Sequence, residues 1–236
     1  MSHLKRLLAP KFWKVRPKEK KWVVSPRSGP HKKFVSIPLQ IVVRDILGIA
    51  DGLREAKKII KAKEILVDGK ERKDPKYGVG LMDVIHIPKM KKFYRVVMVP
   101  SGLKLIEIPQ KEANLKLCRI NRKFTIKGGK YQLGLHDGRN ILVENKAKNK
   151  YSTGDSLLIE IPSQKIVEHL KMEKGKIGLI TGGTNKGKIV KIKAVKETRS
   201  REPNKVVCDL EGRELETVKD DTFVVGEEKP VIKIME

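Results

Sequence analysis

Residues 37–88 read IPLQIVVRDILGIADGLREAKKIIKAKEILVDGK, then a polar loop, then LMDVIHIP. Leu39, Val42, Val43 and Ile46 recur at i, i+3, i+4 and i+7, one face of an amphipathic helix. Pro38 fits the first turn of that helix, where no amide donor is needed, and Gly48 suits its end. Asp51 is placed to cap a second helix that turns Leu53, Ala56, Ile59 and Ile60 inward. The other face of this helix carries Arg54, Lys57, Lys58 and Lys61 at the same spacing. Like charges stacked this way repel by roughly 0.2–0.5 kcal/mol per pair. In most chains such a stripe is a solvated face. In one this basic it points to an anionic partner. Residues 64–67 read as a strand, Asp68 and Gly69 as its hairpin turn, and residues 81–87 as a second strand.

Two helices followed by a small sheet, the second helix basic, resemble the alpha-L (ribosomal S4-type) RNA-binding motif. The matching positions are Leu47, Gly48, Ile49, Ala56, Lys57, Ile59, Ile60, Ile65, Val67, Asp68, Gly69, Asp83, Val84 and Ile85. Four positions depart from the motif. Gly52 and Leu53 replace a hydroxyl cap and a basic residue, Lys63 stands for a usual glycine, and Asp68 for a usual Asn.

The 236 residues hold 53 Lys and Arg against 28 Asp and Glu, a net charge of +25. That excess suits a surface for a polyanion. Aromatics are only 5% of the chain and many apolar residues are β-branched, so small, strand-rich cores are expected. Cys118 and Cys208 are far apart and lie in no metal-ligand spacing, so no disulfide and no zinc site is expected. Cys118 alternates with its neighbours as a small core residue does. No apolar run has the length of a membrane span, and the basic opening is unlike a secretory signal. A cytoplasmic protein is the expectation.

Residues 1–36 carry eleven Lys and Arg against a single acid, Glu19, with prolines at 10, 17, 26 and 30. Such an arm buries too little apolar surface to fold alone. Lysines of this kind displace condensed counterions along nucleic acid, and aromatic rings stack or fill grooves. Trp13 and Trp22 are equally open to packing on the protein's own domains. The candidate RNA contacts in the arm are Lys5, Arg6, Lys11, Trp13, Lys14, Arg16, Arg27, His31, Lys32 and Lys33. His31 has no base-like partner near it in sequence, so catalysis there is not expected. In the helix–sheet segment the candidates are Arg54, Lys57, Lys58, Lys61 and Lys63, with Lys70 and Arg72 in the loop beyond.

From residue 93 to 172 apolar runs at 93–99, 103–108, 115–126, 131–135, 141–143 and 157–161 alternate with Gly-rich turns. This spacing predicts a small barrel or half-barrel. His136 and Asp137 invite a catalytic reading, but no nucleophile elbow accompanies them and Asp-Gly is a favoured hairpin turn.

Residues 174–195 read KGKIGLITGGTNKGKIVKIKAV. Gly182, Gly187 and Lys188 match most of a phosphate-binding loop. Ile189 follows where a magnesium-binding hydroxyl is required, and the next segment is a β-branched strand rather than a helix. The stretch resembles instead a KOW motif, a strand–loop–strand unit with Gly187 as its central glycine. Lys186, Gly187 and Lys188 are its candidate contacts, with charge added by Lys191 and Lys193. Glycines let such a loop approach a sugar-phosphate backbone closely. From residue 197 onward eleven acids outnumber seven bases, and residues 206–210, 214–217 and 222–225 read as strands completing a small barrel. This acidic part is expected to face solvent or a protein neighbour.

In sum the fold class is α+β, mostly β: a basic arm (1–36), an alpha-L motif (37–92), a β-rich centre (93–172) and a KOW/SH3-like barrel (173–236). That order resembles the S4e family of small-subunit ribosomal proteins. Further matching residues are His3, Leu4, Lys5, Arg6, Leu7, Pro10 and Trp13 at the N-terminus. Inside the chain they are Gly29 to Lys32, His136 to Asn140, and Tyr151 to Asp155. The resemblance implies a non-enzymatic, cofactor-free constituent of the small ribosomal subunit, of archaeal type. It would bind 16S ribosomal RNA and neighbouring ribosomal proteins and support assembly and translation.

Three other classes stay open. A pseudouridine synthase would need a catalytic Asp after Gly-Arg-Leu, where this chain has Gly138, Arg139, Asn140 and Ile141. A KOW-class transcription factor would account for residues 174–195 alone. A general polyanion-binding protein would show no preference for ribosomal RNA.

Overall fold

The computed structural model describes residues 3–144, 150–198, 200–210 and 212–234. Glu211 and Glu236 of the acidic tail lie outside them. Two compact units divide the chain: Met1–Val97 with Ser101–Asn114, and Met98–Pro100 with Leu115–Glu236.

The first unit opens with the arm. Its strands β1 (Leu4–Lys5) and β2 (Trp22–Val23) pair antiparallel, Leu4 opposite Val23. Trp13 ends a short 3-10 turn, Lys11–Trp13, and is fully buried. Its indole N–H donates to the Ser36 carbonyl at 2.9 Å, which satisfies the one polar group of the ring. Arg6 is buried beside it in sequence, donating to the Arg16 carbonyl at 2.8 Å and to Glu19 at 2.9 Å. The arm's only acid is therefore used to neutralise its only buried arginine.

β3 (Ile37–Pro38) leads into α1 (Leu39–Ile41), which continues as a wide π-type turn over Val42–Ile46. Leu39, Val42 and Val43 are buried and Ile46 partly so, as the periodicity predicts, but Gln40 and Ile41 are buried too, so the segment is enclosed all round at its start rather than on one face. Gly48 closes the turn at φ +62. α2 (Leu53–Lys61) buries Ala56 and Ile60. Two expectations fail at its start. Leu53 is 41% exposed rather than turned inward, because it occupies the first helical position, beyond the covered stripe. Asp51 does not cap, since the N-cap is Gly52, one residue later. Glu55 reaches back instead and accepts from the Asp51 amide at 3.0 Å, one residue before the N-cap.

The sheet follows: β4 (Leu66–Val67), β5 (Lys70–Glu71), β6 (Gly78–Val79), β7 (Val84–Ile87), β8 (Lys92–Val99) and β9 (Gly102–Ile108). β6 pairs with β3, and the rest form one sheet in the order β5-β4-β7-β8-β9. Residues 93–108, read from sequence as the head of the central segment, thus extend the sheet begun by the helix–sheet motif. Asp68 and Gly69 take φ of +52 and +71, the paired positive values of a tight hairpin. The Asp68 carboxylate also accepts from the Val84 amide at 2.9 Å, which ties the turn to β7.

The regular structure of the second unit is almost all strand. β10 (Leu115–Thr125), β11 (Tyr131–Leu135), β12 (Asn140–Val143), β13 (Ser156–Glu160) and β14 (Ile166–Leu170) form a sheet ordered β12-β11-β10-β13-β14. β10 is shared: its first half pairs with β13, and beyond an irregularity between Ile120 and Arg122 its second half pairs with β11. The sheet is a half-barrel around Cys118, Ile120, Leu133, Leu135, Tyr151, Leu157 and Ile159. β14 has no counterpart in the sequence reading, because Glu168 and His169 interrupt its apolar run. A second antiparallel sheet comprises β15 (Ile177–Ile180), β16 (Ile189–Lys196), β17 (Lys205–Leu210), β18 (Arg213–Val218) and β19 (Thr222–Gly226), ordered β18-β17-β16-β15-β19.

Because Trp13 is enclosed, Trp13→Ala should destabilise the first unit by about 3–5 kcal/mol. Trp13→Phe, which keeps the bulk, should cost less. Urea unfolding followed by circular dichroism measures both.

Candidate nucleic-acid interface

α2 presents Arg54, Lys57, Lys58 and Lys61 fully to solvent, while Ala56 and Ile60 hold its other side in the core. Among the described residues none of the four cations has a carboxylate partner. The stripe runs on past the helix. Lys63, where the motif has glycine, adopts φ +63, so the position demands the left-handed conformation and a lysine accepts its cost. Its ammonium lies 2.9 Å from Glu71 and joins the end of α2 to the β4–β5 hairpin, where Lys70 is exposed. Arg72 lies with its guanidinium 4.4 Å from the Tyr77 ring centre, oriented by that contact. The seven cations thus lie on α2 and on or just past the hairpin that Lys63 ties to it.

The arm's candidates divide. Lys5, Lys11, Lys14, Arg16, Arg27 and Lys32 are exposed, and Lys33 is partly so. Arg27 lies 3.5 Å from Asp74 in the loop after β5. Three others face inward. Arg6 and Trp13 are enclosed as described. The His31 side chain is also buried, its Nε2 3.0 Å from Asp83. The sequence shows no acid near His31; the fold supplies one 52 positions away. These three side chains cannot reach a partner without unpacking, and they fasten the arm instead. Gly80 makes the His31 contact possible, since a Cβ there would fall 2.3 Å from the imidazole.

In the second unit the loop between β15 and β16 turns through Gly187 at φ +79. A Cβ on Gly187 would lie 2.2 Å from the Val99 carbonyl carbon, and one on Gly182 would lie 2.5 Å from the Asp221 carboxylate. The glycines the sequence reserves for a close approach by RNA are thus filled by the protein's own chain. Lys186 and Lys188 are half-exposed, and Lys188 donates to Asn185 at 2.9 Å. Lys193 on β16 is spoken for by Glu214 at 2.9 Å and Asp209 at 3.5 Å. Acids of the tail therefore neutralise lysines of this sheet.

Three family models match the chain in sequence order: an RS4NT domain over residues 2–34, an S4 domain over 37–85, and ribosomal family S4e over 90–166. The small ribosomal subunit protein eS4 of Methanothermobacter thermautotrophicus is 47% identical over 235 residues, 99% of this chain and 96% of the relative. That of Archaeoglobus fulgidus is 48% identical, across 98% of this chain and 97% of the relative.

The chain belongs to the S4e family of ribosomal proteins.

The crystal structure of the 30S ribosomal protein S4e from Thermoplasma acidophilum agrees, with a TM-score of 0.70 and 31% identity over 82% of this chain and 96% of that one. Membership fits the non-enzymatic reading, and among the described residues the His–Asp–Cys cluster that could hold a metal is structural. Cys118, His136 and Asp137 stand within 4.8 Å of one another, as metal ligands do. Asp137 is already held by Lys116 at 3.0 Å and Arg139 at 3.1 Å, and His136 Nδ1 accepts from the Arg119 amide at 3.2 Å. Two cations on the carboxylate disfavour a metal ion. The S4e-like stretch of residues 151–155 is likewise a clasp, built on the buried Asp155. Asp155 accepts from the Ser152 and Met172 amides and lies 2.9 Å from His169.

Burial pushes the Asp137 carboxyl up, but Lys116, His136 and Arg139 outweigh it and hold the group below the usual Asp range. A depressed carboxylate stabilises the fold above its unfolded pKa of about 3.9, and that gain is lost as pH falls through the lower folded value. In urea titrations the stability gap between the wild type and Asp137→Asn should be constant above about pH 5 and shrink below about pH 4. Gly187→Ala should destabilise the second unit by at least about 2 kcal/mol, through strain at positive φ and the clash with Val99. Thermal unfolding measures this.

Proposed function

We propose that this S4e chain is a structural constituent of the small ribosomal subunit, and that it binds 16S-type ribosomal RNA to support subunit assembly and translation. The observation that carries this reading is the α2 stripe: Arg54, Lys57, Lys58 and Lys61 are exposed together on a helix whose opposite face is core. Lys63 ties the end of α2 to the hairpin beside Lys70 and Arg72, and the curated relatives are named as small ribosomal subunit proteins. Cations on a rigid helix meet phosphates without further ordering, and the release of condensed counterions drives association. A-form duplex hides its base edges in a deep groove, so the backbone shape is what such a stripe reads.

The exposed arm residues Lys5, Lys11, Lys14, Arg16, Arg27, Lys32 and Lys33 add contacts delivered from a leader that Trp13, Arg6 and His31 hold in place. The β15–β16 loop and its sheet form a KOW-type, SH3-like unit in this proposal, with Lys186 and Lys188 contributing charge at its rim. The tail acids that pair with Lys193 and Lys196 leave that sheet less cationic, a surface suited to neighbouring ribosomal proteins. The ribosome in the cytoplasm is the site of action.

Reversing Arg54, Lys57, Lys58 and Lys61 to Glu should weaken binding to a 16S rRNA transcript. The slope of log affinity against log salt should flatten by about one unit for each cation that meets a phosphate. An unchanged affinity and slope in filter-binding titrations would remove the helix from the interface. Absence of the chain from purified small subunits would remove the function.

A further inference from the structure

The ribbon made by the second half of β10 with β11 and β12 has two unlike faces. Leu133, Leu135, Ile141 and Val143 point into the half-barrel core. On the other side the register sets Phe124 opposite Gln132 and Gln132 opposite Leu142. One step along, Arg122 stands opposite Gly134 and Gly134 opposite Asn140. Residues directly opposite across antiparallel strands share a face, as do residues two apart on one strand. The outer face is therefore two rows: Phe124, Gln132, Leu142, and Arg122, Gly134, Asn140. Phe124 is 50% exposed and Leu142 64% exposed.

Gly134 is the gap in this surface. A Cβ there would stand 3.6 Å from both the Arg122 Cβ and the Asn140 Oδ1, so these two side chains flank an empty position. Glycine in mid-strand forfeits packing and backbone entropy, and it marks places where something else comes close to the backbone. Among the described residues the side chains nearest the position are those of Arg122 and Asn140.

The polar groups around the ring decide what fits. Arg122 is on the face, and Lys127 and Lys130 are exposed in the turn at its end. Gln132 and Asn140 offer amide donors and acceptors. Glu144, just past β12, is outnumbered by these cations. A protein contact would ask for a broader apolar patch than Phe124, Leu142 and the neighbouring Ile126 supply. A planar aromatic, a guanidinium and two amides around a shallow floor suit a nucleobase with its phosphate, recognised by stacking on an open sheet.

We propose that this face takes an unpaired nucleotide of ribosomal RNA. Its base stacks on Phe124 over the floor left by Gly134, its edge meets Gln132 or Asn140, and its phosphate meets Arg122. This rests on the RNA-binding reading above and adds a contact in the other structural unit.

The test is a titration of the full chain against a 16S rRNA transcript. Phe124→Ala should lower affinity about tenfold with the salt slope unchanged, since no charge is lost. Phe124→Trp should retain affinity, and its added indole emission should be quenched on binding, a readout independent of how the alanine variant folds. Arg122→Ala should instead flatten the salt slope by about one unit. A wild type that binds with Phe124→Ala binding equally well, and Phe124→Trp emission unmoved, overturns this site alone. A wild type that does not bind overturns the RNA reading, and this site with it. Full rRNA affinity for Phe124→Ala combined with its depletion from reconstituted small subunits assigns the face to a protein neighbour and also overturns it.

Discussion

Lys116 is completely enclosed in the half-barrel, with Asp137 3.0 Å from its ammonium. That pairing states the constraint under which the whole chain folds. A polypeptide with so large a cationic excess must keep its charge in water or cancel it internally, because an unpaired ion in a protein interior costs several kcal/mol. The same solution recurs elsewhere. Arg6 finds Glu19, and the fully buried Arg95 of β8 finds Glu112 at 2.9 Å. Each of the buried cations Arg6, Arg95 and Lys116 has an acid, whereas among the described residues the α2 stripe has none. Core chemistry and surface chemistry are two sides of one allocation.

Much of this could be read from residue order. The periodicity of Leu39, Val42 and Val43 located a buried helical face, and Ala56 with Ile60 located the basic stripe opposite. Alternation and Gly-rich turns placed most strands of the second unit to within a residue or two. The substitution of Lys63 for glycine is visible in sequence, and the left-handed backbone explains why glycine is the motif's habit there.

What could not be read is what depends on distant partners. Nothing near His31 announces Asp83, so it resembled a free contact in a basic arm, and nothing near Trp13 announces the Ser36 carbonyl, so RNA contact and internal packing stayed equally open for it. Gly187 was correctly read as a turn, but a sequence does not say what occupies the space a missing Cβ leaves; here it is Val99 and Pro100. Arg122 and Phe124 went unremarked because they sit in a run that reads simply as strand. Only the register, which brings Gly134 and Asn140 alongside, shows that they share a surface. The bulge beside Ile120 shifts that register and is invisible to a count of alternating residues.

The hold of Gly80 on His31 has a further consequence. The leader is latched by a residue that lies well outside it, in a loop between two strands of the folded unit. Deleting the first three dozen residues would therefore not simply trim a cationic tail. It would uncover the Asp83 carboxylate and bare the pocket that Trp13 fills. The leader is best regarded as a built-in lining of the body behind it, which limits how freely this end of the protein can be lengthened, fused or exchanged.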